Sequence, residues 1–519
     1  MVIWMSYRRE IDKIEINAEN IKIFAKKAYD ELKPFFEPKA IAVVGASRDV
    51  NSPGWVTFKM LLESSKKGVL KAKVYGVNVK GGELFGQKLY KTITEIPDEV
   101  DHAVILVPAK YVPSVLEECG KKGVKVATII SAGFSEVGNI ELEQQVLQVA
   151  KEQGIRVMGP NGLGVFDTWS GVDTMFLPTH KEADGKELLA CPRPKKGHIM
   201  FLSQSGALGV SVLDYMYGEG IGLSKFISYG NKIDVDEVDM LLWALEDPTV
   251  RAVMIYMEGI KSAGRTFVKV ARQFSKHKPI IILKGGKTKA GARAVASHTA
   301  SLAGDIKVYE AAVDKMGAVW TDDLIEFLDA TKALVYQPPA AGNNIAIVTD
   351  GGGAGILASD KAEKIGLNLP PTPESVLQKL KNAQKEGKIP SVATFANPID
   401  VSGSASDISY EIALDAVLEN DDINAAIVIA LHHPPLLTSR FIDAIARVGK
   451  KYKKPVVAVD IGGAEMARWV RDRFDEYGVP SFPTPERGIV ALRALVRYGN
   501  FLRREGVLED YLEHWKPVI

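Results

Sequence analysis

Short β-branched runs, apolar at nearly every position, alternate along the chain with stretches whose apolar residues recur at helical spacing. Three times such a run leads into a Gly/Ser turn and then a helical stretch: AIAVVGAS (residues 40–47), HIMFLSQSGALG (198–209) and NIAIVTDGGGAGI (344–356). Each is how a βαβ unit opens. Behind the first opening come KVYGVNV, AVILVPA, VATIISAG and RVMGPN. Behind the second come AVMIYMEG and PIIILKGG, and behind the third AAIVIALHH, PVVAVDIGG and a terminal helix around residues 489–501. Strands without polar alternation belong to sheets covered on both faces, which predicts doubly wound parallel α/β domains. Ahead of them, residues 11–36 place Ile14, Ile21, Phe24, Ala28 and Leu32 at helical spacing until Pro34 and Pro38, predicting one amphipathic helix. Two segments read as irregular, 167–196 and 336–343, the latter a PPAAGN linker. The predicted order is a helical extension (1–36), three α/β domains (37–168, 197–337 and 338–519) and a connecting segment (169–196).

Length and composition agree. The 519 residues suffice for about three domains, and 46% hydrophobic with 25% charged residues excludes a disordered chain. Lys+Arg 65 against Asp+Glu 64 leaves a net charge of +1, so nothing global attracts nucleic acid or anionic lipid, and any anion must be captured locally. Cys119 and Cys191 cannot build a disulfide framework or a cysteine-rich metal site, and they suit a reducing compartment. Charge breaks the N-terminal stretch before a signal sequence could form, and no run of about 18 apolar residues occurs, so the expectation is a cytoplasmic protein.

Each Gly-rich turn sets a helix N-terminus where unpaired N–H groups and the helix dipole favour an anion, although any doubly wound domain needs such a turn simply to fold. The first, VVGASRDVNSPG, lacks the dinucleotide fingerprint: Ser47 stands at the second glycine position, and Asn78 and Lys80 stand where an acid would meet a ribose. This disfavours an NAD(P)-linked oxidoreductase. The sharpest local signal is KGGKTKAGARAVASHTASLAGD (284–305), read as a small-residue loop with Lys284, Lys287, Lys289 and Arg293 and with His298 just before a helix. A neutral imidazole among cations can accept a phosphoryl group, and a loop histidine among Ser and Thr can equally be a helix cap. The local pattern leaves both open. His432 and His433, before Pro434 and Pro435, read as a strand exit, and no histidine has ligand spacing, so no metal site is expected.

From about residue 36 to 501 the ordered motifs resemble the alpha subunits of ADP-forming acyl-CoA synthetases, in the succinyl-CoA synthetase superfamily. VGAS with PGW, NVK (78–80) and VPAKYVP (107–113) look like the family's CoA-binding opening. SAGFSE (131–136) and GPNGLG (159–164) look like its acyl and phosphate loops, with Gly162 where many relatives carry Cys. FLSQSGALG resembles the helix start that receives a phosphohistidine, and SHTASLAG the phosphohistidine loop, with Ala300 where Gly is usual. TDGGGAG, NPID (397–400) and TPERGIVAL (484–492) resemble the additional flavodoxin-like domain.

The resemblance implies a Rossmann-like CoA-binding domain followed by two flavodoxin-like ones. It implies the reaction acyl-CoA + ADP + phosphate ⇌ carboxylic acid + CoA + ATP, through an acyl phosphate and a phosphohistidine. It assigns His298 as phosphoryl carrier and Glu258 as the carboxylate orienting it. CoA falls to Gly45, Ser47, Asn78, Lys80, Val107 and Pro108, and phosphate or acyl contacts to Ser131, Gly133, Asn161, Gly162, Ser203, Ser205 and Gly206. No segment resembles the nucleotide-binding ATP-grasp module. A separate beta chain is therefore expected to bring ADP/ATP and Mg2+, in an alpha2beta2 assembly. The alternative is a non-catalytic CoA or acyl-CoA sensor, disfavoured by the intact His298 and Glu258. The third domain, whose TDGGGAG has no nucleophile or base paired with it in sequence, is expected to be structural.

Overall fold

A computed structural model describes residues 6–260, 264–299 and 306–518, without the side chains of Ser6, Arg9 and residues 296–299. The chain forms two compact units, Met1–Met316 and Gly317–Ile519.

The first unit holds two sheets. One runs Gly82–Leu84, Gln87–Tyr90, Lys73–Val77, Ala40–Val44, His102–Ile105, Val126–Ile129, Arg156–Met158, parallel except for the outer hairpin of its first two strands. Ile41 pairs with Val74 on one side and His102 on the other, so the strand order reverses beside Ala40–Val44. In open α/β sheets the crevice at such a reversal, outside the carboxyl ends of the strands, is where ligands bind. All five residues of Ala40–Val44 are buried, as its unbroken apolar run requires, and each fully buried Val or Ile contributes about 1.5–3 kcal/mol.

The second sheet runs, within this unit, Ile280–Lys284, Ala252–Met257, Lys196–Ser203, Leu223–Ser228, Gly164–Asp167. Here the order reverses at Lys196–Ser203. Gly164–Asp167 joins antiparallel, as an edge strand on a parallel-dominated sheet, and ties the end of the first α/β segment into the second sheet. The stretch 167–196, expected to be irregular, contains an exposed hairpin, His180–Ala183 with Lys186–Leu189, around Gly185 with φ +73°.

The expected single N-terminal helix is two, Ser6–Lys13 and Asn20–Leu32. Asn17 causes the break: its side-chain oxygen accepts from the N–H groups of Glu19 and Asn20, an alternative to helical pairing that starts a new helix.

The second unit carries five parallel strands in the order Ile399–Asp400, Ile345–Thr349, Ala425–Ile429, Val456–Val459, Ser481–Phe482. Residues 331–340 are buried and Ala340 N–H donates to Leu495 O (3.2 Å), so the expected linker at 336–343 begins as packed core. Among the described residues no helix is long and apolar enough to cross a membrane.

Candidate active site

The carboxyl ends of the first sheet bring together the residues assigned to CoA. Gly45 follows Ala40–Val44 with φ +107°, and a Cβ there would lie 2.7 Å from Leu106 O, so only glycine lets the two strand ends approach. Asn78 fastens the loops: its Nδ2 donates to Ala46 O (2.8 Å) and its Oδ1 accepts from Lys80 N–H (3.0 Å). Ser47 Oγ accepts from Asp49 N–H, and the Lys80 side chain is exposed at the rim. Arg48, which sequence reasoning passed over, holds Gly81 O (2.5 Å) and Glu83 O (3.2 Å). Val107 O accepts from Ser131 Oγ (2.5 Å), placing Val107 and exposed Pro108 beside the next loop.

At the second sheet, Ser203 ends its strand with Oγ on Ser205 O (2.6 Å). Ser205 caps the helix Gly206–Gly218 by accepting from Leu208 N–H (3.3 Å). Glu258, 5% exposed, follows the adjacent strand Ala252–Met257. Gln204 joins these two strand ends: its Oε1 accepts from Glu258 N–H (2.8 Å) and Gly259 N–H (3.2 Å). Tyr256 OH donates to Glu258 Oε1 (3.2 Å), and burial with the Glu258 carboxylate keeps that phenol well above its ordinary value. Lys284 ends the next strand, where burial lowers its ammonium and the charge of Glu258 works the other way. The structure thus brings Ser203, Ser205, Gly206 and Glu258 to one crevice.

Asn231 joins the two loops that the resemblance assigns to the acyl group and phosphate, 131–136 and 159–164. Its Nδ2 lies 2.7 Å from both Glu136 Oε2 and Glu143 Oε2, its Oδ1 accepts from Asn161 Nδ2 (3.3 Å), and its N–H donates to Pro160 O (2.9 Å). Gly133 N–H donates to Glu136 Oε1 (2.6 Å). Burial works against the Glu136 carboxylate, yet the N–H of Gly133 and the Asn231 amide hold it below its ordinary value. Gly162 packs against the backbone of Ser228 and Gly230, leaving no room for a side chain in this loop arrangement. Asn231 and Gln204 stand inside motifs legible in sequence, but nothing there marks them as the connectors.

The segment read as a loop around His298 is helical over Lys289–Thr299, which places His298 within a helix. Ala290, Ala292 and Ala294 have the highest helix propensity, and Thr288 Oγ1 accepts from Gly291 N–H (3.1 Å) at the start. This helix runs beside the turn Ser135–Val137. The His298 side chain and Ala300 lie outside the described residues.

In the second unit the structure pairs what sequence left apart. His432 Nδ1 lies 2.9 Å from Asp460 Oδ2 across adjacent strand ends, stacked on His433 with ring centroids 3.9 Å apart; it is not a plain strand exit. Asp350, 6% exposed beside the turn into Gly352–Lys364, accepts from Leu431 N–H (3.3 Å) through Oδ1. Its Oδ2 has no hydrogen-bond partner among the described residues, and burial pushes the carboxyl up to about 7. A carboxyl raised on folding stabilises fully below its unfolded value near 4 and loses that contribution as pH rises through about 7. Asp350→Asn is therefore expected to remove a loss of about 2–3 kcal/mol between pH 5 and pH 8. Denaturant unfolding at the two pH values checks it, and parallel pH dependences of variant and parent would contradict it. Among the described residues no group of three or more His, Cys, Asp or Glu side chains could hold a metal ion.

Each sheet of the first unit thus has a reversal point at its strand ends, one closed by Gly45 and one with a capped helix start beside a buried carboxylate, an arrangement suited to holding anionic ligands. Matches to a CoA binding domain (residues 39–167), a succinyl-CoA ligase like flavodoxin domain (196–334) and a Ligase-CoA domain (345–503) agree. The alpha subunit of acetate–CoA ligase [ADP-forming] I of Pyrococcus furiosus is 41% identical, over 91% of this chain and 98% of the relative. The chain belongs to the family of ADP-forming acetate–CoA ligase alpha subunits. The 4-hydroxybutyrate–CoA ligase [ADP-forming] of Nitrosopumilus maritimus is 31% identical over 91% of this chain, which spans 64% of that relative. An acetyl-coenzyme A synthetase of Ca. Korarchaeum cryptofilum, solved in complex with phosphate and ADP, superposes with TM-score 0.80 and 38% identity over 91% of this chain and 98% of that one.

Proposed function

We propose that this chain catalyses the acyl and first phosphoryl transfers of an ADP-forming acyl-CoA synthetase: acyl-CoA + ADP + phosphate ⇌ carboxylic acid + CoA + ATP. The observation that carries the reading is Gln204, which locks the capped helix start at Ser205–Gly206 to the buried Glu258. Domain 37–168 holds CoA, with Gly45, Ser47, Asn78, Lys80, Val107 and Pro108 around the ligand. A phosphate oxygen attacks the thioester carbonyl, the C–S bond breaks, and CoA leaves as the thiol, with Ser131, Gly133, Asn161 and Gly162 around the acyl group. The imidazole of His298 then attacks phosphorus and the carboxylate leaves. Glu258 holds one ring nitrogen so that the other is the nucleophile, while Ser203, Ser205 and the N–H groups from Gly206 onward bind the phosphoryl oxygens.

In the last step a β-phosphate oxygen of ADP takes the phosphoryl group and the N–P bond breaks. That step belongs to an ATP-grasp partner carrying Mg2+, in an alpha2beta2 assembly in the cytoplasm. Relatives of which this chain spans about two thirds support such a partner. Domain 197–337 carries the transfer machinery, and 338–519 contributes to assembly.

The purified chain is expected to bind CoA but to make no ATP, whereas the complex co-purified with the partner makes ATP and free thiol together. ATP synthesis by the single chain would refute the division of labour. Lys80→Ala should weaken CoA about tenfold in calorimetry by removing a rim cation from the ligand's phosphates, and unchanged affinity would move the CoA site elsewhere.

A further inference from the structure

The N-terminal helix Ser6–Lys13 lies ahead of residue 39, where the CoA-binding family match begins, yet its side chains reach the machinery of the first unit. Tyr7, wholly buried, donates to Asp239 Oδ1 (2.6 Å). The Arg8 guanidinium grips both Asp236 and Asp239, with Nε to Asp239 Oδ1 at 3.0 Å and Nη1 to Asp236 Oδ2 at 3.1 Å. Those two aspartates are the capping box of the helix Glu237–Glu246: Asp236 Oδ1 accepts from Val238 N–H (2.8 Å) and Asp239 Oδ2 from Asp236 N–H (3.1 Å). Burial works against charge at Asp239, yet Arg8 and Arg156 hold it well below the usual carboxylate range. The helix is anchored further by Asp12 on Thr266, and the following turn by Lys269 Nζ on Ile14 O (3.0 Å) and Gln273 Nε2 on Ile16 O (3.0 Å).

The capped helix is continuous with the loop that serves the crevice. Glu237, in its first turn, pairs with the buried Lys232, whose Nζ also donates to Gly259 O (2.8 Å) directly after Glu258. Lys232 adopts φ +42°, a left-handed conformation that costs about 1 kcal/mol or more for a side chain with a Cβ and persists only when its surroundings hold it. Asn231, the connector of the acyl and phosphate loops, is its neighbour. Two buried charge pairs, Arg8 with Asp236/Asp239 and Glu237 with Lys232, thus run from the N-terminal helix to the backbone of Gly259, the residue after Glu258.

We propose that the helix Ser6–Lys13 is a built-in clamp of the active centre, in which Tyr7 and Arg8 are positioning residues that fix the Asn231–Lys232 loop through Asp236 and Asp239. The inference rests on the reading of that crevice as the transfer site. The assembled complex lacking residues 1–13 is compared with the parent for kcat, KM and thermal unfolding, at a temperature well below either transition. The expected result is a kcat about tenfold or more lower with KM for CoA within twofold, since a displaced transfer loop costs rate and leaves the CoA crevice intact. A synthetic peptide of residues 1–18 should restore kcat in trans, and the same peptide with Arg8→Ala should not. Should the deletion prevent folding, Arg8→Gln carries the test, with Arg8→Lys expected to recover part of the lost kcat. Parental kcat in the folded deletion or in Arg8→Gln, with only the unfolding temperature lowered, would overturn the clamp. Failure of the underlying reading would show differently, as a parental complex that makes no ATP.

Discussion

His298→Ala in the assembled complex is expected to lower turnover by about 10³-fold or more, because the proposed mechanism passes the phosphoryl group from acyl phosphate to ADP through this imidazole. Incubating the parental complex with labelled ATP should give an acid-labile, base-stable phosphoprotein on this chain, and the variant should carry no label. Glu258→Gln should fold and be labelled about 100-fold more slowly, since a neutral amide no longer stabilises the cationic ring during transfer. The neighbours of Glu258 sharpen this expectation. Gln204 holds its backbone from the helix-start side and Tyr256 holds its carboxylate, so the substitution changes charge within a fixed frame. Full activity in His298→Ala would mean direct transfer from acyl phosphate to ADP, with Ser205 and Gly206 binding the transferring group without a carrier.

Much of this site was legible in sequence because its parts are local. A strand buried on both faces shows as an unbroken apolar run, as in residues 40–44, and the Gly45 and Ser205 turns follow such runs directly. What escaped has partners far along the chain. Gln204 and Glu258 are 54 positions apart and His432 and Asp460 are 28, and each of these pairs meets because paired parallel strands bring their carboxyl ends together, while Asn231 and Glu136, 95 apart, follow strands of two different sheets. Short-range competition misled in the opposite direction. Asn17 breaks a helix whose apolar spacing continues through it, and the alanines of 289–299 make a helix of a stretch whose glycines and lysines suggested a loop.

Arg156→Met is expected to cost about 3–5 kcal/mol of unfolding free energy, the range for removing one partner from a buried ion pair. Arg156 is 4% exposed on the last strand of the first sheet and meets four groups at once. Its Nε reaches Asp234 Oδ2 (3.0 Å), Nη1 reaches Glu31 Oε2 (2.8 Å) and the Tyr7 hydroxyl (3.0 Å), and Nη2 reaches Asp239 Oδ1 (3.3 Å). Methionine fills the aliphatic volume and, among the described residues, leaves the buried Asp234 carboxylate with only the N–H of Val157 (2.7 Å) as a hydrogen-bond partner. Burial already raises the Asp234 carboxyl despite the guanidinium, so without it the group rises further and folds protonated. A carboxyl raised in the folded state stabilises below its unfolded value and loses that contribution as pH rises, so the deficit of Arg156→Met should be largest near pH 8 and shrink toward pH 5. Pairing it with Asp234→Asn should recover part of the loss, because the uncompensated charge is then gone. Denaturant titrations of the four members of that cycle at both pH values measure it. A single-variant cost under 1 kcal/mol, equal at both pH values, would mean that water reaches Asp234, and that apolar packing and not this cluster joins the N-terminal helices to the two sheets.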